Sequence, residues 1–266
     1  MPQLHAIAAD RLARLIGLPT TPRLMDLRAD AATRIPGSTP FDSATAVGQT
    51  AVIIDADGGA EAHAAAARLR HDGVAAEVLE GGFAAWRAAG LPLVPENKLP
   101  PRDAQGRTLW VTRARPKVDR IACPWLIRRF VDPHAIFLFV TPGDVPGVAA
   151  ATGAAPFDIA GDGMLWSHRG ELCTFDVMVD ELGLSGIAPL AHVATIVRGA
   201  DTARLDIVPE AAGLLAASLG LSRMYADDHA QLDAGMTLYD AFYRWARDAR
   251  DETHDWTQHQ PRGAKA

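Results

Sequence analysis

Short apolar runs alternate with amphipathic stretches along the first third of the chain. Leu4 to Ile16 places Leu12, Leu15 and Ile16 on one face of a predicted helix, with Gly17 as its stop and Pro19 just beyond. Arg23 to Leu27 and Ala51 to Asp55 read as buried strands. The second meets the turn Asp57-Gly58-Gly59 and an alanine-rich helix from Ala60 to His71, ended by Gly73. Val74 to Leu79 is a further strand, and Gly81-Gly82 opens a helix over Phe83 to Ala89. Strands alternating with helices predict a small α/β domain with a parallel sheet over residues 1–95. Three prolines and four charges between Pro95 and Gly106 then break the pattern, so residues 96–107 are read as a linker.

Beyond it, Leu109 to Thr112 and Ala135 to Val140 read as strands, and Phe157 to Ile159 as a short one. Gly161-Asp162-Gly163 is a turn signal. Cys123-Pro124 fits a helix opening, with proline in the first turn and Trp125, Leu126, Ile127 and Phe130 on the apolar side. Thr174 reads as the N-cap of a helix carrying Phe175, Met178, Val179 and Leu182. Three more helices follow: Pro189 to Arg198, capped by Gly199 with Asp201 beyond; Pro209 to Leu219, stopped by Gly220; and Tyr225 to Ala249. The expected second domain, residues 108–250, is mixed α+β and helix-rich, and the polar stretch 251–266 is expected to be a disordered tail.

Hydrophobic residues make up 48% and charged residues 22%, the balance of a soluble globular chain. A formal net charge of −6 gives a nucleic-acid partner no support, and no helix-turn-helix with a basic recognition helix is visible. Two cysteines, Cys123 and Cys173, exclude a disulfide scaffold and suit a reducing cytoplasm. Met1 to Leu18 has no apolar run fit for a signal peptide, and no stretch has the length of a membrane span. No glycine-rich phosphate loop follows a strand, so neither a nucleotide nor a flavin is indicated. Oligomeric state is left open.

The densest chemistry lies in Ser167 to Asp176, where His168, Cys173 and Asp176 bring an imidazole, a thiol and a carboxylate together. With Asp201 and Asp119 as further ligands, this mixed set suits a divalent transition metal such as zinc, iron or manganese better than magnesium or calcium. Cys173 alone could instead be a thiolate at the positive end of a helix dipole. The plain alternative is a hairpin and helix start with ordinary polar residues and Cys173 as a small core hydrophobe. Six cations fall between Arg113 and Arg129. Lys117, Arg120, Arg128 and Arg129 could hold an oxyanion, since guanidinium forks donate paired hydrogen bonds; the bland reading is a solvated face paired with carboxylates. Cys123, Asp228 and His229 are secondary candidates, Asp228 and His229 because they begin near the buried stripe of the last helix.

Two resemblances follow from longer motifs. Glu80-Gly81-Gly82-Phe83-Ala84-Ala85-Trp86-Arg87-Ala88-Ala89-Gly90-Leu91-Pro92 resembles the closing segment of rhodanese (sulfurtransferase) domains, and Leu24 to Arg28 with Ile35-Pro36-Gly37 resembles that family's earlier motifs. The family carries a catalytic cysteine after the strand that here ends in Val52-Ile53-Ile54, and Asp55 stands there instead. A persulfide needs a thiolate, so the resemblance implies a rhodanese-like domain without sulfur transfer of its own. The acidic loop of Asp55, Asp57 and Glu61 is expected to be solvated. From about residue 108 to 247 the chain resembles the chromate-resistance domain of ChrB-type proteins. The carrying residues are Lys117-Val118-Asp119-Arg120-Ile121-Ala122, Trp125 to Phe130, Asp132-Pro133, Phe157-Asp158, His168, Gly170, Cys173 to Asp176, Ile196-Val197, Asp201 and Pro209-Glu210-Ala211 with Gly213. This resemblance implies a chromate-resistance or chromate-response protein, and the cation cluster with the His168, Cys173 and Asp176 set adds an oxyanion, a metal or both as what it binds. The alternatives are a thiol- or metal-dependent oxidoreductase reducing chromate, or a residual sulfurtransferase; whether the chain is an enzyme stays open. Some family members regulate transcription through a different N-terminal region, which this chain replaces.

Overall fold

The computed structural model describes residues 5–42, 49–161 and 163–252. The first half holds β1 (Ala6–Ile7), α1 (Ala9–Ala13), β2 (Arg23–Asp26), β3 (Thr33–Arg34), β4 (Ser38–Pro40), β5 (Ala51–Ile54), α2 (Ala60–His71), β6 (Ala76–Leu79), α3 (Gly82–Ala88) and β7 (Val94–Pro95). A five-stranded sheet runs β1-β6-β5-β2-β4, and every pairing in it is parallel. Central β5 buries all four residues of its Ala-Val-Ile-Ile run, as a strand covered on both faces must. β3 and β7 form a small antiparallel pair. The helix expected from Leu4 to Ile16 contracts to Ala9–Ala13, because Ala6 and Ile7 pair with Val78 and Leu79 as an edge strand instead.

The second half holds β8 (Leu109–Arg113), α4 (Asp119–Phe130), β9 (Ile136–Val140), α5 (Val145–Thr152), β10 (Ala155–Pro156), α6 (Thr174–Glu181), α7 (Ala188–Asp201), α8 (Glu210–Met224) and α9 (Asp228–Asp248). β8 is central in a parallel sheet ordered β10-β8-β9. α4, α6, α7, α8 and α9 pack into a helical layer around Trp125, Phe130, Phe175, Tyr239 and Tyr243. The architecture is the α/β and mixed, helix-rich arrangement the pattern predicts. Among the described residues no helix is long and apolar enough to cross a membrane.

Several boundaries move, and two of the shifts matter for the site. α4 opens at Asp119 rather than at Cys123-Pro124; Pro124 lies inside it, and Cys123 is fully buried within it rather than at its cap. α7 runs through Gly199 to Asp201, so Gly199 is no cap; a Cβ there would sit 2.8 Å from the Ala211 side chain of α8. Phe157 to Ile159 forms no strand, since the pairing strand is Ala155–Pro156.

The segment read as a linker is folded into the body. Glu96 takes ion pairs from Arg34 of the first half and from Arg102. Arg102 also reaches the buried Asp132 carboxylate at 3.5 Å, which accepts from the backbone N–H and hydroxyl of Thr108. Arg34 in turn pairs with the buried Asp26. One hydrophobic cluster extends from Leu24 and Trp86 through Phe130 to Tyr243, so the two halves share a core. Residues 253–266, the expected tail, and Asp162 lie outside the described residues.

Candidate metal centre

The site forms beyond the carboxyl ends of β8 and β10, where open parallel sheets present their functional loops. The chain leaves β8 at Arg113, passes through Arg115 (φ 58) and Val118 (φ 40), and enters α4 at Asp119. Asp158, two residues past β10, has φ 49. Left-handed backbone at valine is costly and persists only where surrounding structure imposes it. Strain thus gathers at the residues flanking or forming this centre. His168 comes from the loop before α6, and Asp201 is the last residue of α7.

These four side chains converge. His168 Nε2 lies 3.2 Å from Asp201 Oδ2, 3.5 Å from Asp158 Oδ1 and 3.6 Å from Asp119 Oδ2. Ligand atoms of Asp119, Asp158 and His168 all lie within 4.8 Å of one another. Two donors bound at about 2.1 Å and at a tetrahedral angle sit about 3.4 Å apart, so the spacing matches a single ion. Asp119 is fully buried, and its Oδ2 accepts from the Thr174 and Phe175 N–H groups at the start of α6. Its Oδ1 is buried with no hydrogen-bond partner, a costly state for a carboxylate oxygen. Asp158 accepts from Thr174 Oγ1 at 3.1 Å and from Arg113 at 3.0 Å, with Arg120 Nε 3.2 Å away.

The electrostatics follow from this crowding. Burial, then the neighbouring Asp201 and Asp158 charges, hold the Asp119 pKa well above its ordinary value. Burial and Asp158 likewise raise Asp201. Burial also works against the Asp158 carboxylate, but His168, Arg113 and Arg120 outweigh it and hold its pKa low. His168 is pushed up to about 9, chiefly by its interaction with Asp158, against burial, with Asp119 and Asp201 adding to the rise. Without a metal, an imidazolium stands at the focus of three carboxylates, where a cation belongs.

Of the residues singled out in the sequence, His168 and Asp201 meet here, Asp119 moves from the margin to the centre, and Asp158 was missed as a ligand. Cys173 is the N-cap of α6, one residue earlier than expected, and is fully buried. Burial, with Asp119 and Asp176 beside it, drives its thiol pKa far up, so without a metal it stays protonated, and it is not among the ligand atoms that gather at Asp119, Asp158 and His168. Burial does the same to Cys123. Asp176 faces elsewhere: it accepts from the Cys173 N–H at 3.1 Å and from Arg198 at 3.1 Å. Asp228 accepts from the Arg115 N–H, and exposed His229 packs edge-on against Phe139, so neither joins the cluster.

The four cations expected to share an oxyanion do not converge. Arg120 sits at the centre on Asp158. Arg129 makes a bidentate pair with Asp240, Arg128 reaches Asp233 at 3.5 Å, and Lys117 is exposed. Arg128 and Arg129 line a different crevice of about 180 Å³ with Thr21 and His134. Asp55 also differs from expectation. Asp55 is buried, and its carboxylate accepts from the N–H groups of Gly58, Gly59 and Ala62 at the start of α2. The loop is therefore not simply solvated: a fixed carboxylate fills the cradle of backbone N–H groups at the start of α2.

A parallel-sheet half with a carboxylate–imidazole centre at its strand ends, sharing a core with a second half built on a five-stranded parallel sheet, is the class of protein these features define. Residues 110–246 match the family model "ChrB, C-terminal domain", which spans just over half of the chain, and the chain belongs to that family. It is 34% identical over 148 residues to Protein ChrB of Cupriavidus metallidurans, a match covering 54% of this chain and 42% of that protein. The chain thus spans less than half the length of this relative. Among solved structures, a rhodanese-like domain protein from Staphylococcus aureus is 24% identical, with a TM-score of 0.27, over 31% of this chain and 91% of that one. BH2092 protein from Bacillus halodurans is 19% identical, with a TM-score of 0.30, over 34% of this chain and 75% of that one.

Proposed function

We propose that this ChrB-family chain serves chromate resistance by holding a divalent first-row transition metal, and that the metal-loaded centre receives a small oxyanion of the chromate type. The observation that carries the metal reading is the convergence of Asp119, Asp158 and His168 around one point, with Asp119 Oδ1 buried and unpartnered. Asp201, 3.2 Å from the imidazole, is a further carboxylate beside that point. Three carboxylates and one imidazole, without a thiolate, favour manganese or iron over softer ions, with zinc next. Asp119 supplies a ligand oxygen oriented by the two α6 N–H groups, and Asp158 one oriented by Arg113, Arg120 and Thr174. Such outer partners fix ligand geometry.

Anion binding follows from charge. Without metal, three ionised carboxylates are balanced by the His168 imidazolium and the two guanidinium groups on Asp158, so the centre offers a dianion no net positive charge. A divalent ion taking the place of the imidazole proton would make the centre net positive, beside Arg113, whose side chain is 39% exposed. Oxyanion binding is then conditional on metal. The test is calorimetric titration of sulfate and of chromate into metal-free and manganese-loaded protein. Binding to the loaded form alone supports the reading. Equal binding to both forms contradicts it.

A further inference from the structure

The loop that delivers Asp119 is held by the longest helix. Val118 has φ 40 and ψ −100, and it lies directly before Asp119. A β-branched residue does not keep that conformation unless something holds it. Two buried polar side chains of α9 do so. The Tyr239 hydroxyl donates to the Val118 carbonyl at 3.0 Å, and Gln231 Nε2 donates to the Pro116 carbonyl at 2.6 Å. Both residues are 1% exposed, and Gln231 Oε1 is buried without a partner. The stripe they interrupt is otherwise Leu232, Gly235, Met236, Tyr243 and Ala246. Gly235 lets α9 approach α4 closely, since a Cβ there would collide with Ile121. Burying a phenol and an amide in such a stripe costs stability unless their hydrogen bonds serve some end.

We propose that Tyr239 and Gln231 are positioning residues of the metal centre, holding residues 116–118 in the strained conformation that aims the Asp119 carboxylate at Asp158, Asp201 and His168. The inference rests on the metal-binding reading given above. Relaxing Val118 toward an ordinary backbone conformation swings the first residue of α4. A ligand oxygen displaced by about 1 Å is out of reach of an ion bound at about 2.1 Å. Arg115 anchors the far side of the same loop, donating to the carbonyls of Ser222, Tyr225 and Ala226 at the end of α8. The side chains from α9 therefore act on a segment already fixed at one end.

The test is manganese affinity and metal-free melting temperature for wild type, Tyr239→Phe, Val118→Gly and the double variant. Tyr239→Phe is expected to weaken manganese binding by about tenfold to a hundredfold, the usual effect of losing an outer-shell partner. Its metal-free melting temperature should change little, because releasing the strain offsets the lost hydrogen bond. In the Val118→Gly background the same Tyr239→Phe change should barely alter affinity, since glycine takes a positive φ without strain. A merely structural tyrosine would lower the melting temperature in both backgrounds and leave affinity alone, and that result overturns the inference. Wild type that binds manganese, with Tyr239→Phe binding it equally well, overturns the positioning role but spares the metal reading. Wild type that binds neither manganese nor zinc overturns both.

Discussion

Asp119→Asn separates the cost of the centre from its purpose, because its two expected effects have opposite signs. The asparagine carbonyl can still accept from the Thr174 and Phe175 N–H groups, so the cap on α6 survives. What disappears is a buried acid group with one oxygen unpartnered, placed beside the carboxylates of Asp158 and Asp201. A buried group left unsatisfied costs about 1–3 kcal/mol, and the metal-free variant should be more stable by that order. For a chain of this size that is about 2–12 °C in melting temperature. In wild type, metal at a hundredfold excess over its dissociation constant should add about 2.7 kcal/mol, or about 5–10 °C. Asp119→Asn should lose most of that increment. Thermal melts of both proteins, stripped with chelator and then reloaded with manganese, read both effects. A variant that is less stable without metal and still gains from metal as wild type does would refute the reasoning.

The pH dependence has a definite sign. His168 is raised from 6.5 to about 9 in the folded protein, so its stabilising contribution is complete below about 6.5 and is lost as pH rises through about 9. The raised pKa values of Asp119 and Asp201 act in the same direction. Metal-free protein should therefore lose stability from about pH 6.5 to 9 in pH-dependent melts, while manganese affinity gains up to about tenfold per pH unit as one proton is released; His168→Gln should flatten both curves. Cys123 and Cys173 should resist a thiol-titrating reagent in the native protein and react only on denaturation, and rapid native labelling of Cys173 would contradict its burial. Asp55→Ala removes the carboxylate that accepts from the start of α2 and should cost about 0.5–2 kcal/mol in denaturant melts. Wild type should form no thiocyanate from thiosulfate and cyanide; robust turnover would show that the filled cradle does not block sulfur transfer.

Much of the fold is legible because burial leaves a local trace. The Ala51-Val52-Ile53-Ile54 run and the helix over Ala60–His71 are read correctly from neighbouring residues alone. The site is harder, because its decisive features are contacts between distant segments. Asp158 falls in a Phe-Asp-Ile stretch that looks like a strand, and nothing in that pattern announces its positive φ. Its presence in the ChrB-type motif was the available signal. Asp119 reads only as a further ligand in the sequence; α4 opening there, rather than at Cys123-Pro124, puts its carboxylate in the first turn. The arginines at 128 and 129 resemble an oxyanion pair only while their partners Asp233 and Asp240, about a hundred residues later, are out of view. The linker reading fails likewise, since Glu96 and Arg102 look solvated until Arg34 and Asp132 are set beside them.

The central claim is that Asp119, Asp158 and His168 bind one metal ion. Its most direct measurement is metal content and anomalous diffraction of protein purified without chelator and crystallised with manganese. The account predicts one ion per chain, about 2.0–2.2 Å from His168 Nε2 and from an oxygen of Asp119 and of Asp158. Manganese-soaked crystals with no anomalous peak at that point, and no metal in the purified protein, would contradict it.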